Sequence, residues 1–220
     1  MSKEGNPMKL FPALAASLLI SLGSVAMAAP QSALTFTGVG FGNGTVSNST
    51  RGYAFTVTGS DLVAAQLGVW DEGGNGLVES HQVGLWNSTG TLLASATVGS
   101  GTSAALIDGF RYVDIVDVPL AAGSYTVGAF FFNGSQDLQA LDLTGLATAP
   151  GITYDDLRFI NGVSSLTMPT NPLNGRTGLI GGTLMVDSIT APTSDVPEPE
   201  SALLALMGVG LLSLARARRR

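Results

Sequence analysis

Residues 53–57 are Tyr-Ala-Phe-Thr-Val, and their alternation decides the fold class. Bulky apolar side chains occupy every second position, which is the period of a β-strand with one buried face. The tyrosine, phenylalanine and valine are therefore expected to share one face. The same alternation in residues 83–86, Val-Gly-Leu-Trp, places Trp86 opposite the valine and the leucine.

Runs of the same kind, rich in Val, Thr, Tyr and Phe, recur between clusters of Gly, Asn and Ser. No segment between them holds an apolar stripe at helical spacing for ten residues. Asn87–Gly90 is expected to be a hairpin loop, and Val118–Gly123 a turn between two strands. The predicted strands are Ala33–Thr37, Gly52–Thr58, Leu62–Trp70, Gln82–Trp86, Thr91–Val98, Arg111–Val116, Ser124–Phe132, Ile152–Ile160 and Gly178–Val186.

About nine short strands with frequent turns predict an all-β fold. We expect a single β-sandwich or jelly-roll domain over residues 29–193. An array of small repeats is the alternative, but the sequence has no fixed internal period.

The composition excludes several classes of function. The chain has 220 residues and no cysteine, which rules out disulfides, thiolate catalysis and cysteine-based metal sites. Between residues 29 and 195, thirteen acidic residues outnumber four arginines, giving a net charge of −9, and lysine is absent. Binding to a phosphate backbone requires clusters of Lys and Arg, so nucleic acid is not expected as a partner.

The first 28 residues have the pattern of a signal peptide. Lys9 supplies a positive charge before the uncharged apolar stretch Leu10–Val25. Ala26 and Ala28 then provide the small-x-small pattern that signal peptidase recognises. Residues 1–28 are therefore predicted to be removed by cleavage after Ala28.

Two alternatives concern this first segment. Met8 directly precedes the positive charge, so either Met1 or Met8 is the start of translation. An N-terminal membrane anchor is the other interpretation of the apolar stretch, although its short length and the cleavage pattern favour a signal peptide. An exported domain without cysteine must gain its stability from core burial, which about 165 residues can provide.

A second apolar segment lies near the end of the sequence, after Val196-Pro197-Glu198-Pro199. Residues 201–215 are uncharged and span about 22 Å as a helix, less than the ~30 Å hydrocarbon core. Snorkelling arginines and local thinning reduce this deficit. A buried helix is the alternative, but basic residues on one side only favour a transmembrane helix with the preceding domain outside. These membrane-stop residues are Arg216, Arg218, Arg219 and Arg220.

The order of motif, apolar helix and arginine tail in residues 194–220 resembles the PEP-CTERM sorting signal of Gram-negative bacteria. The resemblance implies transient anchoring in the inner membrane, recognition by an exosortase and cleavage near the Pro-Glu-Pro. Release to the cell surface or to the extracellular polysaccharide matrix would follow. Val196, Pro197, Glu198 and Pro199 would then be a motif that a processing enzyme recognises. A simple C-terminal anchor is the alternative.

The central region resembles a broader group over residues 62–131. The resemblance is carried by Trp70–Trp86, Gly90–Thr97, Phe110–Tyr112 and Leu120–Ala129. They are similar to β-sandwich ectodomains of unassigned function that occur in many PEP-CTERM proteins and in some other secreted bacterial proteins. The resemblance implies a fold but no activity, because one fold supports many functions.

The acidic, glycine-rich loop of residues 71–76 is a candidate calcium site. Asp71, Asn75 and Glu79 occupy positions 1, 5 and 9 of a calcium-loop pattern, with glycine at its turn position. Positions 3 and 12 depart from the pattern, because Gly and Gln stand where Asp/Asn and Glu are required. A polar hairpin loop with glycines at positive φ is the alternative. No other cofactor is expected.

The sequence offers little for catalysis. His81 is the only histidine, with no second one for a zinc site and no Gly-x-Ser-x-Gly elbow, so a structural role is expected. Asp155 with Asp156, and Asp114 with Asp117, are candidate acid–base pairs of a glycosidase. Residues one or three apart in a strand point to opposite faces, which favours surface carboxylates.

Aromatic residues in the predicted strands are candidates for stacking on sugar rings. They are Trp86, Tyr112 and Tyr125. Aromatic side chains in strands more often belong to the core, which is the favoured interpretation.

These features together predict a non-catalytic exported protein of the cell surface or extracellular matrix. It would contact exopolysaccharide or other matrix proteins after processing by signal peptidase and an exosortase. A carbohydrate-binding or calcium-dependent adhesive module is the alternative. A secreted hydrolase is the third hypothesis, and it requires Glu79, His81 or two aspartates to converge in one cleft.

Overall fold

The computed structural model of the chain describes residues 29–41, 48–59, 62–173 and 176–188. The predicted signal peptide and the sorting segment therefore lie outside the described residues. The described part contains sixteen strands and one short 3-10 helix, Glu72–Gly74, none of its helices being long and apolar enough to cross a membrane. The strands are β1 (Gln31–Ser32), β2 (Leu34–Thr35), β3 (Gly38–Phe41), β4 (Ser49–Val57), β5 (Leu62–Trp70), β6 (His81–Asn87), β7 (Leu92–Val98), β8 (Ala105–Ile107), β9 (Phe110–Leu120), β10 (Gly123–Phe131), β11 (Ala140–Thr144), β12 (Ala147–Thr148), β13 (Ile152–Asn161), β14 (Asn171–Pro172), β15 (Leu179–Ile180) and β16 (Gly182–Ser188).

Two antiparallel sheets dominate the fold. The front sheet has the strand order β1-β16-β5-β9-β8, and the back sheet has the order β14-β13-β4-β10-β6-β7. A three-stranded sheet, β15-β11-β3, and a two-stranded sheet, β12-β2, complete the described part. Several consecutive strands lie in different large sheets, as in β4 to β5, β5 to β6 and β9 to β10, so the chain crosses the sandwich repeatedly.

The core lies between the front and back sheets. Tyr53, Phe55 and Val57 of β4 are at most 1% exposed, as their alternation predicts. They belong to one hydrophobic cluster with Leu67 of the front sheet and Val127 of the back sheet. The predicted all-β fold is confirmed, and the two packed sheets form a β-sandwich.

The strand predictions agree with the structure where alternation is strong. Leu62–Trp70 is β5 itself, and the loop after Asn87 closes with the Gly90 N–H donating to the Asn87 carbonyl at 3.0 Å. The single strand predicted over Gly178–Val186 is wrong, because it divides at Gly181 into β15 and β16, which join different sheets. A Cβ at Gly181 would overlap the ring of Phe131, so this backbone lies directly against the core.

A row of glycines crosses the back sheet. Gly128 of β10 pairs with Gly52 of β4 on one side and with Gly84 of β6 on the other. A Cβ at Gly84 would lie 2.6 Å from the indole of Trp86, and one at Gly128 would lie 3.1 Å from Pro169. The row therefore makes room for side chains that cover the outer face of the sheet, and Trp86 is only 4% exposed there.

Candidate functional site

A buried ion pair holds the acidic loop that follows β5. Arg111 Nε donates to Asp71 Oδ2 at 2.7 Å, and the two side chains are 6% and 2% exposed. The remaining guanidinium nitrogens donate to the carbonyl oxygens of Gly74, Thr102 and Ala104. Because one planar guanidinium binds three loop carbonyls and a carboxylate, this arrangement fixes the loop rather than presenting a free charge.

The three residues of the predicted calcium loop have different surroundings in the structure. Asp71 is engaged in the ion pair, Asn75 is exposed, and Glu79 accepts hydrogen bonds from Ser135 Oγ and the Gln136 N–H. Three glycines of the loop have positive φ angles, as the alternative of a polar loop requires. The calcium site therefore stays a prediction, and the contacts of Asp71 and Glu79 give it no support.

A second polar cluster forms around His81 at the start of β6. The ring nitrogen Nδ1 lies 3.0 Å from the carbonyl oxygen of Phe130, and Nε2 lies 2.8 Å from Asp137 Oδ2. The imidazole packs against the Phe131 ring with 4.4 Å between centroids, and its side chain is fully buried. Among the described residues, Glu79, His81 and Asp137 bring potential metal-ligating atoms within 4.8 Å of one another.

The hydrogen-bond partners of His81 define where protons lie. A carbonyl oxygen only accepts, so Nδ1 carries a proton that it donates to Phe130. Asp137 also accepts the backbone N–H groups of Val78 and Glu79 at 2.9 and 3.0 Å. Without a proton between them, the lone pair of Nε2 would face a lone pair of Asp137 Oδ2 and the two atoms would repel each other. One further proton is therefore shared between Nε2 and Oδ2.

The surroundings favour the ionised form of Asp137. Burial raises the pKa of this carboxyl, but hydrogen bonds from His81, Val78 and Glu79, with the charge of His81, lower the pKa by more in sum. The pKa of Asp137 consequently lies below its ordinary value of 3.8. The cluster therefore contains a hydrogen-bonded histidine–carboxylate pair with Glu79 beside it.

The cluster brings together two of the residues named for a hydrolase, Glu79 and His81. Both nitrogens of His81 are engaged, one by Phe130 and the other by Asp137. The nearby hydroxyl of Ser135 donates to Glu79 Oε2 at 3.0 Å. The hydroxyl therefore bonds to Glu79 and not to His81, and the absence of catalysis stays a prediction.

The other carboxylates proposed as acid–base pairs lie at the surface. Asp155 accepts a hydrogen bond from Thr56, and Asp156 pairs with Arg158 at 2.6 Å. The pairing of β13 with β4 has a register shift between Tyr154 and Asp156. Asp114 and Asp117 are likewise exposed, with Asp114 accepting from Gln66 at 2.6 Å.

Two of the three candidate sugar-stacking aromatics belong to buried structure. Trp86 lies over the glycine row, and Tyr112 is 3% exposed, so burial raises the pKa of its phenol. Tyr125 is half-buried against Phe55 and lines a shallow groove of about 250 Å³ on the back sheet. Polar residues also line this groove: Ser88, Ser124, Thr126, Asp155, Arg158 and Thr170.

Sequence reasoning identifies Glu79 and His81 but not Asp137. Asp137 lies 56 residues beyond His81, in a loop after β10 that carries no recognisable motif. The pairing of β10 with β6 brings the loop to the histidine, and this pairing is not visible from local pattern. The signal that the sequence does offer is a single histidine, His81, which starts a strand and follows the acidic residue Glu79 by two positions.

Residues 195–220 match the PEP-CTERM protein-sorting motif. The match includes the predicted motif, apolar segment and arginine tail, all of which lie outside the described residues. It indicates a chain that is exported through a sorting pathway and processed by an exosortase.

The remaining comparisons add little about the β domain. No curated protein matches the chain. Among solved structures, a family 35 carbohydrate-binding module from an environmental isolate is similar at 15% identity, with a TM-score of 0.31. The likeness covers 61% of this chain and 94% of that module. At this TM-score it supports no conclusion about the chain's fold or ligand.

Proposed function

We propose that this chain is an exported, non-catalytic protein of the cell surface or the extracellular polysaccharide matrix. The observation that carries the proposal is the match of residues 195–220 to a sorting motif, next to an all-β domain. Signal peptidase would remove residues 1–28, the apolar segment would anchor the chain in the inner membrane, and an exosortase would cut near Pro197–Pro199.

The chemistry of the domain is consistent with a structural role. Four of the buried charged groups, Asp71, Arg111, His81 and Asp137, are engaged in hydrogen bonds within the fold. The absence of cysteine and the excess of acidic residues suit an exposed, soluble module outside the cell. Its partners would be exopolysaccharide or other matrix proteins.

The sorting step can be tested in the native host with two single substitutions. Glu198→Ala removes the acid of the Pro-Glu-Pro motif, whereas Glu200→Ala removes an acid just beyond it and is the matched control. We expect the Glu198→Ala protein to accumulate in the inner membrane, while wild type and the control reach the surface or matrix fraction. Immunoblots of separated cell fractions measure this distribution.

The proposal fails if the Glu198→Ala protein reaches the matrix fraction as efficiently as wild type. It also fails if all three proteins stay in the inner membrane, because a plain anchor would then replace the sorting signal.

A carbohydrate-binding module is the second candidate, favoured by the polar groove beside Tyr125. Its volume of about 250 Å³ is below the range of drug-sized ligand pockets, so it suits one sugar unit of a polymer. Asp155→Asn should weaken binding to host exopolysaccharide at least about tenfold, because a sugar hydroxyl would lose a charged acceptor and face an amide that also donates. Asp117→Asn, an exposed acid of the front sheet, is the control, and equal binding by both variants would exclude this groove.

A further inference from the structure

The cluster of Glu79, His81 and Asp137 has a geometry that the proposed surface role does not use. His81 begins β6, Glu79 precedes it by two residues, and Asp137 comes from the loop after β10. Their ligating atoms lie within 4.8 Å of one another. The side chains of His81 and Asp137 are 0% and 9% exposed, and Glu79 is half-buried.

The orientation of the imidazole is fixed by a group outside this cluster. His81 Nδ1 donates to the Phe130 carbonyl oxygen, while the ring rests on Phe131. Nε2 is thereby directed towards the carboxylate of Asp137. Metal-ligating histidines commonly hold their second N–H on a backbone carbonyl, because this bond sets the tautomer and aims the free nitrogen.

The two carboxylates of the cluster also favour the binding of a cation. Asp137 and Glu79 bring two carboxylates beside one imidazole. The arginines in the described part are engaged elsewhere: Arg51 with Ser49 and Asn161, Arg111 with Asp71, Arg158 with Asp156, and Arg176 with Asp142. A divalent ion held between these groups would balance the two carboxylates.

We propose that Glu79, His81 and Asp137 form a binding site for a divalent transition-metal ion of the zinc type. One imidazole nitrogen and two carboxylate oxygens are the donor set that such ions accept, whereas calcium prefers oxygen ligands alone. A water molecule or an oxygen of a bound partner would complete the tetrahedron. Only Glu79 is shared with the calcium loop predicted from Asp71 and Asn75.

Binding requires one proton to leave and a small movement of two side chains. The proton between His81 Nε2 and Asp137 Oδ2 passes to solvent, and the metal takes its place between the same atoms. Two ligands of a tetrahedral zinc lie about 3.3 Å apart, so the present 2.8 Å must lengthen by about 0.5 Å. The hydrogen bonds from Ser135 to Glu79 and from Val78 to Asp137 are retained as outer support.

The first test is calorimetric titration of zinc chloride into the full chain, purified without a tag in detergent and stripped with chelator. We expect saturation near one zinc per chain, with release of about one proton. Titrations in two buffers of different ionisation enthalpy measure the proton. The proposal is overturned if zinc does not saturate at one site, or if binding releases no proton.

Four variants locate the site. Glu79→Gln and Asp137→Asn should each weaken zinc binding by more than about tenfold, because each loses an anionic ligand. Glu72→Gln, an acid of the neighbouring loop, and Asn75→Ala should bind zinc as wild type does. Asn75→Ala also separates this site from the calcium loop, since only calcium binding would depend on it.

Folding of each variant is checked by circular dichroism in chelator. If Asp137→Asn does not fold, the half-buried Glu79→Gln decides the result, and unchanged zinc affinity in that variant would overturn the proposal. Both outcomes are independent of the sorting experiment, which measures location and not metal binding.

Discussion

At the scale of single residues, two buried charged groups determine how loops attach to the sandwich. Arg111 holds the loop after β5 through Asp71 and the Gly74 carbonyl oxygen, and the segment before β8 through the carbonyl oxygens of Thr102 and Ala104. His81 holds the loop after β10 through Asp137. Removing one partner of a buried pair leaves the other charge without compensation, which costs more than a surface pair contributes.

Arg111→Lys is expected to reduce the free energy of unfolding by about 3 kcal/mol or more, because an ammonium cannot reach the carboxylate and three carbonyls together. Urea unfolding followed by tryptophan fluorescence measures the change. Arg176→Lys is the control, since Arg176 and Asp142 are half exposed, and it should change stability by less than about 0.5 kcal/mol. Equal effects of the two substitutions would contradict a structural role for the buried pair.

The lowered pKa of Asp137 predicts a specific loss of stability in acid. A carboxyl whose pKa is lower in the folded state stabilises the fold above its unfolded pKa, and this stabilisation is lost as pH falls through the folded pKa. Wild type should therefore lose more stability than Asp137→Asn as the pH falls below about 4. Unfolding in metal-free buffers at pH 7, 5, 4 and 3 tests this, and parallel pH profiles for the two proteins would be inconsistent with it.

At the scale of elements, the back sheet depends on its glycine row. Gly52, Gly128 and Gly84 lie side by side on three strands, so the outer face has a hollow that Trp86 and Pro169 fill. β4 is consequently buried on both faces although the sandwich core covers only one of them.

Gly84→Ala is expected to destabilise the protein by about 1–3 kcal/mol, because the added Cβ would lie 2.6 Å from the Trp86 ring and force it to move. The emission maximum of tryptophan should shift to the red as the ring becomes exposed. A Cβ at Gly99 meets nothing within 4 Å, so Gly99→Ala should leave stability unchanged or slightly raised. Unchanged fluorescence in Gly84→Ala would mean that Trp86 does not fill the hollow.

The individual strands also show how much of the fold can be predicted from the sequence. Strands with a clear alternation, such as Leu62–Trp70 and Ile152–Ile160, agree closely with β5 and β13. β3 and β11 were missed, because Gly-Val-Gly-Phe is rich in glycine and Ala140–Thr144 follows a polar loop. The division at Gly181 depends on contact with Phe131, which is a tertiary constraint without a local signal.

The candidate site shows the same difference between local pattern and long-range contact. Glu79 and His81 are close in sequence and could be singled out, whereas Asp137 reaches them only through the pairing of β10 with β6. The predicted calcium loop rests on local spacing alone and stays a prediction, while the structure adds the pairing of Asp71 with Arg111. Local pattern therefore finds the strands, and long-range pairing decides which polar groups meet.

At the scale of the whole molecule, an acidic β-sandwich is combined with a sorting motif at residues 195–220. The alternation of strands between sheets makes the domain depend on many long-range contacts, which slows folding relative to helical domains. Export before folding and later processing near the Pro-Glu-Pro would deliver the sandwich as a separate unit.

Intact mass spectrometry of the protein isolated from its own host, with cell fractions kept separate, measures whether both terminal segments are removed. We expect a surface or matrix species that has lost residues 1–28 and the tail beyond about Pro199. A membrane-bound species that still carries Arg220, with no shorter form outside the inner membrane, would contradict it and assign the C-terminal segment to a permanent anchor.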